Sequence, residues 1–160
     1  MLDDAIRQAA RSAIESRFML RDEELDSQLS KLAQAAASHQ DADDFAKVAV
    51  RLRLACEHDL FERAHIVWMA LKRAHQDIDN TQTPRLLKDL CQDLHLFMKD
   101  ASVNLANQIG RYSEPLAPAF RGPDPLDAAW LRRLLRLAEE RQLKAMESYV
   151  NSRRSSLRRR

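Results

Sequence analysis

The side chains in this chain that could do chemistry are few, and their spacing limits what they could do. Cys91 and His95 stand four residues apart and would share a helix face. Glu62 and His65 stand three apart, half of the two-metal pattern of ferritin-like bundles, which needs a second Glu-x-x-His that this chain lacks. A tetrahedral zinc site would require Cys56, His58, Cys91 and His95 to converge from separate segments. Because the spacing matches no standard ligand motif, the expectation is buried, reduced cysteines beside ordinary surface histidines, with no metal and no cofactor. Catalytic signatures are equally scarce: there is no Gly-rich phosphate loop, no G-x-S-x-G and no H-E-x-x-H. The carboxylate pairs Asp43/Asp44 and Glu139/Glu140 fall where a helix start or a polar face accounts for them. The expectation is a protein that is not an enzyme.

Arginines offer the stronger signal. Arg153, Arg154, Arg158, Arg159 and Arg160 crowd the C-terminal end, and Arg132, Arg133 and Arg136 precede them on a helix-forming stretch. The net charge of +2 conceals an asymmetry: residues 1–131 hold 16 Lys/Arg against 21 Asp/Glu, and residues 132–160 hold 10 against 3. A basic end on a mildly acidic body suits something negative, and arginine–phosphate contacts give affinity without sequence specificity. Tyr149 is the only ring near this end, so the aromatic stacking of a single-strand binder is missing. A helix-turn-helix reader over Leu32 to Leu52 lacks its turn glycine, and Asp41, Asp43 and Asp44 would face a phosphate backbone.

The elements that must carry these residues are helices. In 160 residues there are only two glycines and five prolines, while 45% are hydrophobic and 31% charged; a sheet protein would need more glycine-bearing turns. Apolar residues recur at three- and four-residue steps through Phe45, Val48, Leu52, Ala55, Leu60, Ala64, Val67, Leu71 and Ala74. A second apolar face runs through Val50, Leu54, Phe61 and Trp68, so Asp41–Asp79 must lie at the centre. Asp59-Leu60-Phe61-Glu62 reads as a capping box, which favours a break near His58 and a central antiparallel helix pair within 42–78 over one long helix. Arg21-Asp22-Glu23-Glu24 predicts a similar break between a first helix (about 3–20) and a second. Phe61, Ala64, Trp68 and Leu71 have the spacing of the packing residues in the second half of a tetratricopeptide repeat, and Asp59–Leu71 resembles that half-unit. With no second copy 34 residues away, the likeness implies an antiparallel helix pair and not a solenoid.

Asn80-Thr81-Gln82-Thr83-Pro84 marks the clearest boundary, with Thr83 as N-cap and Pro84 opening a helix to about Ile109. Gly110–Pro125 holds both glycines and four prolines and reads as a loop. Its Tyr112, Leu116 and Phe120 either pin it over the core or meet a partner. Asp124-Pro125 starts a last helix to about Val150, and 151–160 lacks a packing pattern and reads as a disordered basic tail. The longest apolar run, Ile66–Leu71, falls far short of the ~20 residues of a membrane span, and the acidic N-terminus resembles no signal peptide. The expectation is an all-α single bundle of five or six helices (residues 1–150) with a basic tail, in the cytoplasm. Its expected role is an adaptor, regulator or chaperone-like protein that binds another protein through a helical surface, with homo-oligomers compatible. The alternative is a nucleic-acid-binding regulator using the C-terminal arginines.

Overall fold

A continuous stripe of apolar residues at helical spacing buries itself best when the helix does not stop, and the first two helices follow that rule. The computed structural model describes residues 1–38, 42–117 and 128–159, and every regular element among them is a helix. α1 spans Asp4–Ser38, α2 Ala42–Ile78, α3 Leu86–Gly110, α4 Ser113–Leu116 and α5 Ala128–Arg158. The chain is all-α, as expected.

Neither expected break occurs. In α1 the buried line Ile6, Ala10, Ile14, Arg21, Leu25, Leu29, Leu32 and Ala36 runs straight through Arg21–Glu24. In α2 the line Val48, Leu52, Cys56, Leu60, Ala64, Val67, Leu71 and Ala74 runs through His58–Asp59. The central antiparallel pair within 42–78 is therefore corrected to a single helix of 37 residues, roughly 55 Å at 1.5 Å per residue. Its antiparallel partner is α1. The physical reason is that Asp22 and Asp59 spend their carboxylates on arginines of the facing helices rather than on caps.

α2 packs against α1, α3 and α5, and this confirms its central position. Contacts along each pair fix the directions. Arg21 of α1 meets Asp59 of α2, and Ala13 lines a groove with Ala70 and Arg73, so these helices run antiparallel. Leu2 and Asp22 reach Asp93 and Gln108 of α3, which makes α3 parallel to α1. Arg141 lies over Phe61, and Tyr149 packs on Trp68, which makes α5 parallel to α2. Four long helices thus alternate in direction around one core. Its fully buried leucines Leu52, Leu60, Leu71 and Leu90 contribute about 1.5–3 kcal/mol each.

Helix ends differ from expectation in detail. Asp3 is the effective cap of α1, accepting the Ala5 amide at 2.8 Å. α3 begins at Leu86 after Arg85, with no side-chain cap, rather than at Pro84 behind Thr83. At its other end Gly110 is the last helical residue, and Tyr112 N–H bonds back to the Ile109 carbonyl, carrying the chain into α4. The expected loop thus begins with a helical turn; residues 118–127, with Phe120 and Asp124-Pro125, lie outside the described residues. Where the sequence suggests a disordered tail from residue 151, α5 continues without interruption through Arg158. Serines at 148, 152, 155 and 156 return their hydroxyls to the carbonyls of the preceding turn, consistent with helix there.

Candidate functional sites

Two polar clusters and two grooves are the features that could do more than hold the bundle together. The first cluster is interior. Asp59 is 0% exposed and Arg63 1%. The Asp59 carboxylate accepts Nε and Nη2 of Arg21 on one oxygen, at 3.2 and 2.9 Å, and Nε of Arg63 on the other at 2.7 Å. Arg63 then donates to Asp22 at 2.6 Å, and its guanidinium lies 4.9 Å from the centre of the Phe18 ring. Arg21 also pairs with Glu24 at 2.7 Å. Gln108 of α3 closes the group by donating to the Asp22 carbonyl at 3.2 Å. Burying two guanidinium groups is tolerable only because the shared carboxylate and its neighbours pair their charge; Arg63 Nη1 is buried with no hydrogen-bond partner among the described residues. One turn away, the Cys56 thiol is pushed up to about 12 by burial and then by the Asp59 charge; at that value it is neither a nucleophile nor a ready metal ligand.

The second cluster lies where α2, the α2–α3 connection and α5 meet. Tyr149 Oη is 2.7 Å from His75 Nδ1, and His75 Nε2 is 3.2 Å from the Thr81 carbonyl. A carbonyl can only accept, so Nε2 carries the proton and Nδ1 accepts the Tyr149 hydroxyl. Arg153 donates to the same Tyr149 oxygen and to the Asn80 carbonyl, both at 2.9 Å. Its guanidinium stands 5.2 Å from the Tyr149 ring centre. Burial, and next the Arg153 charge, hold His75 below its usual 6.5. Burial likewise raises the Tyr149 phenol, against an opposing pull from Arg153. This cluster latches α5 to the rest of the bundle.

The residues singled out in the sequence are dispersed. Leu116 is fully buried, and Tyr112 is half-buried with its hydroxyl donated to Asp26 at 2.7 Å. Both hold α4 against α1, so neither presents a free surface to a partner. Arg132, Arg133, Arg136, Arg154, Arg158 and Arg159 are exposed, and none forms an ion pair with a described residue. By helical geometry Arg132, Arg136, Arg154 and Arg158 share a face within about 80°. Glu140 and Glu147 interrupt that face, leaving a cationic group at each end about 27 Å apart at 1.5 Å per residue. Arg153 departs from the set: it is half-buried and engaged in the latch. Arg160 lies outside the described residues. His95 meets Glu139 at 2.8 Å, and no group of three or more His, Cys, Asp or Glu converges among the described residues. No helix there is long and apolar enough to cross a membrane.

Sequence reasoning missed both clusters. The available signals were charged or polar residues set within buried stripes: Asp59 and Arg63 beside Leu60 and Ala64, and His75 beside Leu71 and Ala74. Their partners lie tens of residues away and cannot be read from spacing.

The grooves differ from one another. Between α1 and α2 runs an apolar trough of two joined hollows of about 260 and 350 Å³, floored by Ala9, Ala13, Ala70 and Ala74 with Ile66 and Ile78 alongside. Ala9 and Ala13 line it from the outside, whereas the core stripe of α1 passes one residue further on, through Ala10 and Ile14. The groove between α2 and α5 is polar. No protein-family model, curated protein or solved structure matches the chain.

Proposed function

We propose that the protein is a non-enzymatic adaptor that receives an amphipathic helix of a partner protein in the α1/α2 trough. The observation that carries this reading is the trough's floor. Four alanines from two helices leave backbones open to close approach, and helix-in-groove recognition uses such a surface. Larger apolar side chains, Ile66, Met69 and Ile78, provide the walls. The rim carries Arg17, His65 and Arg73 against a single Asp77, which Arg73 already approaches at 3.7 Å. A partner helix with small or medium apolar residues on one face and acidic flanks complements it. The test places a photo-crosslinking residue at Ala13 or Met69, and at exposed Lys99 on α3 as control, in the cells that make the protein. Adducts at 13 and 69, mapping to one amphipathic, acid-flanked segment, support the reading. Equal labelling at 99, or none at 13 and 69, ends it.

A second reading draws support from the exposed arginines of α5, which would engage nucleic-acid phosphates. Replacing Arg132, Arg133, Arg136, Arg154, Arg158 and Arg159 by Gln tests it better than truncation after Val150, which would also cut the Arg153 latch. Binding to duplex or single strands should weaken steeply with salt and flatten in that variant. No binding at low salt excludes it.

A further inference from the structure

The open groove between the second half of α2 and the end of α5 spans about 660 Å³, with room for a small molecule. Lys72, Gln76 and Asn80 form one wall, and Ser148, Ser152 and Arg153 the other. Each wall therefore brings one cation to it, and among the described residues no carboxylate lines it. Asp79, at the end of α2, accepts the Thr81 amide at 3.1 Å. Lys72 makes no hydrogen bond and no ion pair with a described residue; its ammonium rests 5.7 Å from the centre of the Tyr149 ring. All three of its N–H donors are available. Arg153 spends one hydrogen on Tyr149 and one on Asn80, so it is held rigidly with further donors to spare. Tyr149 itself is anchored by His75. Ser148, Ser152 and Ser156 repeat at four-residue spacing along the α5 wall; their hydroxyls are donated to backbone carbonyls of α5 and would leave these to donate to a ligand.

We propose that this groove binds the phosphate group of a small phosphate monoester, with Lys72 and Arg153 as the charged donors on opposite walls. A phosphate dianion matches two cations, and its three terminal oxygens suit donors that arrive from two sides. A carboxylate offers two oxygens and one charge. The volume left beyond the phosphate holds the esterified alcohol against Gln76 and the serine hydroxyls. The site is separate from the α1/α2 trough and stands or falls without it.

Amide spectra of the full chain are followed during titration with inorganic phosphate, with glycerol 2-phosphate, and with chloride at matched ionic strength. Saturable shifts are expected at residues 72, 76, 148 and 152 with both phosphates and not with chloride, and the ester should bind several-fold more tightly. Lys72→Gln should weaken binding about tenfold, and Ser152→Glu, which sets a carboxylate in the groove, should abolish it. Thermal melts verify that each variant is folded, and Ser152, being exposed, supplies the test should Lys72→Gln fail to fold. Non-saturating shifts, equal shifts with chloride, or binding indifferent to the substitutions overturns the site. Equal affinity for the ester and the free ion overturns the assignment of a monoester.

Discussion

Arg63 and Arg153 are each held by two oxygen partners and each lie against an aromatic ring, yet they stand at opposite depths. Arg63 is enclosed by α1 and α2, beside a carboxylate that it shares with Arg21. Arg153 sits at a groove edge, bonded to a phenol and a carbonyl, with no carboxylate partner among the described residues. The difference concerns what each arrangement can be used for. In the interior every charge needs a neutralising partner, so the cluster fixes how α1 registers on α2 and is closed to ligands. At the edge the guanidinium remains uncompensated, which makes it a latch for α5 and leaves charge over for a guest.

The largest effect expected from this contrast is in the interior. Asp59→Ala would remove the carboxylate that two buried guanidinium groups share, leaving Arg21 only Glu24 and Arg63 only Asp22, and should cost about 3–5 kcal/mol in urea denaturation. A loss below about 1 kcal/mol would show that water reaches the cluster. The complementary experiment replaces the three buried charged members, with Arg21→Met, Asp59→Leu and Arg63→Met together. Removing the charges along with their desolvation should leave stability unchanged or raise it by about 1–4 kcal/mol, with any cost appearing as loss of a single α1–α2 register in amide spectra. At the edge, Tyr149→Phe keeps the ring against Trp68 but deletes the hydroxyl shared by His75 and Arg153; a loss of about 1–2 kcal/mol is expected. If Tyr149→Phe instead matches Asp59→Ala, the two sites do not differ in depth as described.

The smallest effect is a dependence on pH. His75 has a lowered proton affinity in the fold, so the unfolded chain binds a proton that the native state excludes. The stability owed to neutral His75 is complete above its ordinary 6.5 and is lost progressively as pH falls from there toward the lower folded value. His75→Gln should flatten that part of the stability profile, measured by denaturant midpoints, relative to the parent chain. An identical slope in both proteins would remove His75 as its source.

Much of the architecture was legible because burial demands periodicity. The stripe from Val48 to Ala74 and the boundary around Asn80–Pro84 could be read directly. What misled was chemistry with two solutions. An aspartate ahead of Leu-Phe-Glu has the pattern of a helix cap, and the same aspartate mid-helix can neutralise an arginine on a neighbour. Local spacing cannot separate these, since the deciding partner, Arg21, is 38 residues away. The second apolar face of α2 shows the same limit. Phe61 and Trp68 are covered by α5, whereas Val50 and Leu54, equally apolar in sequence, are exposed. For the polar groove, Lys72 and Ser152 carried no signal at all, because their relation exists only once α5 has docked.

That docking gives the long unbroken α2 a temporal meaning. α1 and α2 are consecutive and touch along their length, and such local pairings form quickly. The latch joins residues 74 apart, so α5 must be made before Tyr149 can reach His75. During synthesis, therefore, an early helical hairpin carries Phe61, Trp68 and His75 uncovered until the last helix emerges. The half-made chain is the form of this protein with the most to hide.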